Sequence, residues 1–288
     1  MSNSSKQIAT LLMGGFGNQL FQFCKTKELE EEGYKVSIDI SNFEKYKNVS
    51  GLPYIHREQI LPVDYFGFEE TPNYVKKILD IGIKISNNRF TPGIVDFATI
   101  IHDNNIALTP YRKFNRLIGY FQDVNLIYKH KEYLIKSLSN EKKIQKALNL
   151  EPHQGTTLLH VRRGDYVGLN EELKIDFYKK ALNYCREKIN NFNYEIFTDD
   201  YEWVSQQNIF EDSLTVHSDG TSVENTISTF AKMLHFENYI IGNSTFSLIP
   251  ALLKETDKSN IFVANPWFRN KQRNLNFRNN WIKINNQT

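Results

Sequence analysis

LLHVRRGDYV, residues 158–167, decides how the chain is read. Extended backwards it gives TTLLHV, an apolar run that reads as a buried strand. The run passes without a break into Arg162 and Arg163, then Gly164 and Asp165. Long charged side chains are seldom tolerated at such a place unless something pairs with them. The stretch therefore asks for an anion at the carboxyl end of a strand.

Downstream, strands and helices alternate over short connections: helix IDFYKKALNYCREKI, strand YEIFT, a short helix from Tyr201, strand SLTVH, helix SVENTISTFAKMLH, strand NYIIG, helix STFSLIPALLK and strand NIFVA. That rhythm predicts a parallel sheet covered on both faces. Upstream, QIATLLM, the turn GGFGN, a helix QLFQFCKTKELEEEG ended by Gly33, and KVSIDI make a βαβ unit. Residues 41–118 are aromatic and rich in turn residues; loops that shape a cleft are expected there, with a helix near Tyr74–Ile81. A charged helix over Tyr128–Asn149 leads to a linker at Pro152 and Gly155. The expected architecture is α/β: two Rossmann-like domains, 1–150 and 151–288, facing each other across a cleft.

The 288 residues carry a formal charge of +2, from 35 basic against 33 acidic side chains. This is too balanced for a protein whose affinity rests on many nucleic-acid phosphates, and no nucleic-acid partner is expected. Cys24 and Cys185 stand far apart, giving neither a disulfide framework nor a zinc ligand set. IATLLM near the N-terminus is too short for a signal-peptide core, and no segment approaches the roughly 20 apolar residues that span a bilayer. A cytoplasmic enzyme is expected.

Ligands of open parallel sheets bind outside the carboxyl ends of the strands. Those ends carry HVRRGD, then Asp199 and Asp200, then His217 to Gly220, then Gly242 to Thr245. Strand alternation sends His160 and Arg162 to one side and Arg163 to the other, so the two arginines have different jobs. Arginine suits phosphate because its planar donors bind two oxygens at once; a structural pair with Asp165 or Asp199 is the plainer alternative. Asn243, Ser244 and Thr245 open a helix, where backbone N–H groups and hydroxyls can hold a second phosphate or simply cap the helix. Two anion sites on one rim point to a diphosphate. His160, Asp199 and Asp200 can bond a base and ribose, although two adjacent acids also make an ordinary helix start. The chain has no Asp-x-Asp, so no metal is expected, and Arg162 has to neutralise the leaving charge.

GGFGNQ invites a dinucleotide reading, but the sixth position after Gly15 and Gly17 is Leu20 rather than a small residue. The better reading brings backbone close to a ligand through Gly15 and Gly17, with Asn18 and Gln19 adding amide donors at the helix start.

GGFGNQLFQF, GYFQD (119–123), HVRRGDYV, FTDDYEW, NSTFS and NPWF resemble, in order and across nearly the whole chain, the bacterial galactoside α-1,2-fucosyltransferases of glycosyltransferase family 11. The resemblance implies a GT-B-like architecture and inverting transfer of L-fucose from GDP-β-L-fucose to O2 of a terminal galactose, on an oligosaccharide or glycolipid. The donor is a substrate, and no further cofactor is implied. Arg162 falls at the arginine that holds the donor β-phosphate, with Arg163 beside it. His160 falls near guanine, Asp199 and Asp200 in the donor pocket, and Asn243, Ser244, Thr245 and Phe246 on the phosphate side. Gly15, Gly17, Asn18 and Gln19 fall on the acceptor side, Asn18 facing the reacting sugar. After NSTFS this chain has LIPALL (248–253) where the family carries a tryptophan-rich run.

Leaving-group stabilisation and alignment then carry most of the catalysis. Asp165 is a candidate general base, set against a structural role in holding Arg163; Asp39 and Glu171 are further candidates. Two other classes stay open. A nonenzymatic nucleotide- or glycan-binding module would keep the rim after 151 without needing GGFGNQ. The tail from 258 to 288, with six Lys or Arg and no acid, offers peripheral contact with the inner face of a membrane or with nucleic acid; a solvated terminal helix packed through Trp267, Phe277 and Trp281 is the plainer expectation.

Overall fold

The computed structural model describes residues 5–46, 58–86, 98–103, 111–218, 220, 222–268 and 275–286. The chain divides into two compact units, Met1–Gln122 with Glu132–Ser137, and Asp123–Lys131 with Leu138–Thr288. Each is built on its own parallel sheet, as the α/β, GT-B-like expectation requires.

In the first unit the sheet order is β2-β1-β4-β3, with β1 Gln7–Leu11, β2 Lys35–Asp39, β3 Ala98–His102 and β4 Phe114–Ile118. Helix α1, Phe16–Glu31, buries Leu20, Phe23 and Cys24, stacks Phe23 on Phe66 with ring centroids 3.7 Å apart, and is tied to β1 where Thr26 Oγ1 bonds Thr10 Oγ1 at 2.8 Å. It stops where Gly33 takes a left-handed φ of +88° and its N–H bonds the Glu30 carbonyl, a conformation glycine adopts without Cβ strain. Helix α2 is Ser41–Tyr46, and α3, Asn73–Ser86, contains the expected Tyr74–Ile81 helix. The middle of the chain is not all loop: β3 and β4 supply half of this sheet. FNRLI reads poorly as a strand because Arg116 sits at its centre. The guanidinium is nevertheless accommodated by Asp39, 3.2 Å away and fully buried, and by Asp80 at 2.7 Å.

The second unit has six strands in the order β10-β9-β8-β5-β6-β7, all parallel. They are β5 His153–Val161, β6 Asn193–Thr198, β7 Thr215–Ser218, β8 Phe236–Ile241, β9 Ile261–Asn265 and β10 Ile282–Asn285. Counted from β5, this is the doubly wound order 3-2-1-4-5-6. One face packs Leu159, Val161, Ile196, Ile240 and Phe262 under α8 (Ile175–Lys188) and α9 (Tyr201–Ser205). On the other face lie α10, Val223–Met233, and α11, Thr245–Lys254, joined by ring contacts such as Phe230 with Phe246. LIPALL is the buried body of α11, every residue from Leu248 to Leu253 being inside, so that departure from the family pattern lies in the core.

Three boundaries differ from expectation. The helix expected over Tyr128–Asn149 is three: α4 Val124–Lys129, α5 Lys131–Leu138 and α6 Lys142–Leu148. It breaks at His130, whose φ of −108° and ψ of 21° depart from the helical region, and at Glu141, whose side chain accepts from the Lys143 N–H and so starts α6. A short helix α7, Gly164–Leu169, follows β5 directly. Among the described residues of the tail the elements are strands, β9 as NIFVA predicts and β10 where a terminal helix is expected; Trp267, Phe277 and Trp281 are buried as expected. Ile282 and Ile284 alternate with exposed Lys283 and Asn285 along the sheet edge. Arg278 is held by Glu255 at 3.1 Å and lies 3.8 Å from the centroid of the Tyr128 ring, whereas Arg269, Lys271 and Arg273 lie outside the described residues. Among the described residues no helix is long and apolar enough to cross a membrane.

Candidate active site

The strand order reverses between β5 and β8, and at such a switch point the connections leave to opposite faces and open a crevice. Register decides what stands there. Leu159 pairs with Ile240 and Val161 with Thr198, so the carboxyl ends of β8, β5 and β6 finish level. Continuing those registers brings Arg162 beside Asn243 and Asp199.

Arg162 is gripped by two carboxylates: Nη2 donates to Asp165 Oδ1 at 2.6 Å and Nη1 to Asp199 Oδ2 at 2.8 Å. Burial acts to lower its pKa, but Asp199 and Asp165 outweigh burial and the net shift is upward. The guanidinium is a permanent cation with a fixed direction. Asp199 Oδ1 also accepts from the Arg163 N–H at 2.8 Å. This carboxylate lies so close to Gly164 that a Cβ there would stand 2.5 Å from Oδ2. Arg163 leaves on the α9 side, where Nε donates to Asp200 Oδ2 at 3.0 Å and the guanidinium lies 4.1 Å from the Trp203 ring centroid. Asp165 therefore holds Arg162, and the expectation that it holds Arg163 is corrected: strand alternation carries Arg163 away, while the first turn of α7 returns Asp165 to Arg162, three residues back. Asp200 caps α9 through the Trp203 N–H at 3.1 Å.

Beyond β8, Ser244 is the N-cap of α11 and accepts from the Phe246 N–H at 3.3 Å. Asn243 Nδ2 donates to the Glu171 carbonyl at 2.7 Å, while its Oδ1 is buried without a hydrogen-bond partner among the described residues. Thr245 follows in the first turn, largely buried. His160 is 1 % exposed, and its Nδ1 meets Ser247 Oγ at 2.8 Å. That contact makes it a brace between β5 and α11. Tyr166 Oη donates to the Asn243 carbonyl at 3.1 Å, tying α7 to the β8 end. Tyr166, Trp203 and Ser247 escaped the sequence reading. The signal for the last two was spacing, since each stands three residues after a cap, Asp200 and Ser244. His217 pairs with Glu195 at 2.7 Å on the β6–β7 edge, and Asp219 lies outside the described residues.

The first unit has its own switch point, between β1 and β4, and GGFGN lies there. Gly14 has φ +78°, and a Cβ on it would come within 2.8 Å of the Tyr120 ring. Gly15 is the N-cap of α1, so Gly17, Asn18 and Gln19 lie in the first turn, and Asn18 does not cap the helix. Its Oδ1 accepts from Gln122 Nε2 at 2.8 Å. Gln19 is 1 % exposed, its amide bonding the Gly14 carbonyl, the Glu58 carbonyl and the Ile60 N–H. Gln22, not singled out from sequence, bonds Met13 and the Gly119 carbonyl, stitching β1 to β4. Asp39 is paired with Arg116 and lies 3.9 Å from Lys76, a structural setting for a carboxylate.

Each α/β unit has its own parallel sheet, and in the second an arginine and a helix start stand at the switch point, an arrangement able to hold an anionic ligand. The chain belongs to glycosyl transferase family 11, whose model matches residues 96–285, and it is a glycosyltransferase. It is 25 % identical over 93 % of its length to 94 % of an alpha-1,2-colitosyltransferase of Escherichia coli. It is 23 % identical over 95 % of its length to 99 % of the O-antigen biosynthesis glycosyltransferase WbnK of the same organism. Among solved structures it is similar to a mutant of Arabidopsis thaliana FUT1 in complex with GDP, with 11 % identity, 90 % of this chain and 70 % of that one covered, and a TM-score of 0.44.

Proposed function

We propose that the chain transfers L-fucose from GDP-β-L-fucose, with inversion, to O2 of a terminal galactose. The carrying observation is the β5/β8 switch point, where a doubly oriented arginine stands level with the start of α11. Arg162 takes the β-phosphate, and the N–H groups and hydroxyls of Ser244 and Thr245 take the other side of the diphosphate. As the sugar–phosphate bond breaks, negative charge gathers on GDP, and this fixed positive field lowers the barrier where the charge develops. Asp199 orients Arg162, and His160 keeps α11 in register with β5. Asn243, Phe246, Arg163 and Asp200 complete the walls of the donor site. Gly15, Gly17, Asn18 and Gln19 form the acceptor-side turn of this reading.

Family membership supports the reaction class, and the name of the colitosyltransferase relative supports both a deoxysugar and an α-1,2 linkage. That same relative favours a second reading, GDP-colitose as donor. Colitose is fucose without its 3-hydroxyl, and a site that bonds a hydroxyl rejects the analogue lacking it by about 10⁴-fold. The test is a comparison of kcat/KM for the two donors on galactose-terminated acceptors. Faster transfer from GDP-fucose supports the first reading, faster transfer from GDP-colitose replaces it with the second, and transfer from neither refutes both.

A further inference from the structure

We propose that Asp165 is a competing counter-ion that the donor diphosphate displaces from Arg162, whereas Asp199 is the positioning residue that stays. The inference rests on the donor site proposed above. Around Arg162 one cation faces two carboxylates, and Arg163 is neutralised by Asp200. The constellation has an excess of negative charge, and a diphosphate arriving there is repelled unless one carboxylate withdraws.

The two carboxylates are held very differently. Asp199 stands at the end of a central strand, bonded through Oδ1 to the Arg163 N–H and packed against Gly164. Asp165 rides on α7, six residues with no buried side chain. Val167 and Leu169 of that helix are 49 % and 64 % exposed. A helix that buries so little apolar surface moves at low cost. The attachments of α7 to the donor site include the Asp165–Arg162 bond and the bond from Tyr166 to the Asn243 carbonyl. Both end on the groups that would face the diphosphate, so donor binding and the position of α7 are linked. In the donor-free chain Asp165 holds the guanidinium in place; when phosphate oxygens replace it, α7 is released.

Calorimetry with GDP on the full chain tests this. Asp165→Asn keeps the shape and removes the competing charge, so GDP binds about tenfold more tightly and the donor KM falls. Asp199→Asn loses the orienting charge, so GDP binds about tenfold more weakly. Asp165→Ser, with a different side chain, shifts affinity in the same direction as Asp165→Asn; melting curves identify folded protein. Unchanged or weaker GDP binding by folded Asp165→Asn overturns the inference. Arg162→Lys separates this from the parent reading: wild-type GDP affinity in that variant overturns the site itself, while weakened binding leaves the site standing whatever Asp165 does.

Discussion

Gly164→Ala places a methyl group where the Asp199 carboxylate now lies. The backbone at Gly164 is not in the left-handed region, so alanine meets no φ strain there. Judged by helix propensity alone it would gain up to about 1 kcal/mol as the first residue of α7. The Cβ, however, would be 2.5 Å from Asp199 Oδ2 and 3.3 Å from Cγ, so the carboxylate must retreat by roughly 1 Å to reach ordinary contact. Oδ2 holds Arg162 at 2.8 Å and Oδ1 holds the Arg163 N–H at 2.8 Å. Such a retreat lengthens at least one of these bonds beyond useful range. A hydrogen bond to a charged group contributes about 1.5–3 kcal/mol. After the propensity gain, the net loss is about 0.5–2 kcal/mol, which lowers Tm by about 1–8 °C for a unit of this size. Because the disturbed bond aims Arg162, GDP affinity falls about tenfold. Thermal melts and GDP calorimetry on one preparation check both numbers. A raised Tm with unchanged GDP affinity would refute the role given to Asp199.

Arg162→Lys keeps the charge but loses the planar fork that can bond Asp199 and a phosphate at once; GDP affinity and kcat should both fall at least tenfold in the same preparation. Asn18→Ala removes the acceptor of the Gln122 bond; the acceptor-side reading expects kcat to fall with GDP affinity unchanged, and a lowered Tm with unaltered kcat would leave Asn18 a purely structural residue. Activity should persist in excess EDTA, since the positive field comes from Arg162 and the α11 start; loss restored by Mg²⁺ or Mn²⁺ would contradict this. Burial, with His153, Lys254 and Lys146 nearby, holds the His235 pKa below its usual 6.5. Below about that pH the unfolded chain binds a proton that the folded chain resists. Stability should therefore fall as pH drops from 7.5 to 5.5, and His235→Gln should flatten that decline in Tm.

The second unit was legible because its strands are continuous apolar runs and each is punctuated by a polar turn, the pattern that burial on both faces imposes. TTLLHV, NYIIG and NIFVA could hardly be anything else. The polar rim followed, since HVRRGD and GNST end two of these strands; that the two strands are neighbours where the order reverses came only from the structure. Which carboxylate answers which arginine did not follow. Asp165 is nearer to Arg163 in sequence, but the pleat turns Arg163 toward Trp203 and α7 begins at once after it, returning Asp165 to Arg162. β3 and β4 were hidden because charged or polar residues interrupt them and because β4, on which β3 pairs, finds its other partner β1 far upstream in the sequence. In the tail, IKIN carries a plain two-residue alternation, and the surrounding basic residues masked it. His160 and Gln19 were legible as polar residues at special places. Only packing reveals that one braces α11 and the other straps residues 58–60.

The central claim is that the diphosphate of the donor sits at the carboxyl ends of β5 and β8. Hydrogen exchange with and without saturating GDP tests it most directly. GDP should slow exchange at the backbone N–H groups of 243–247, where α11 begins, with no comparable protection on the far strands β7 and β10. Protection confined to residues outside the β5 and β8 ends, or no protection at 243–247 under saturation, would contradict it.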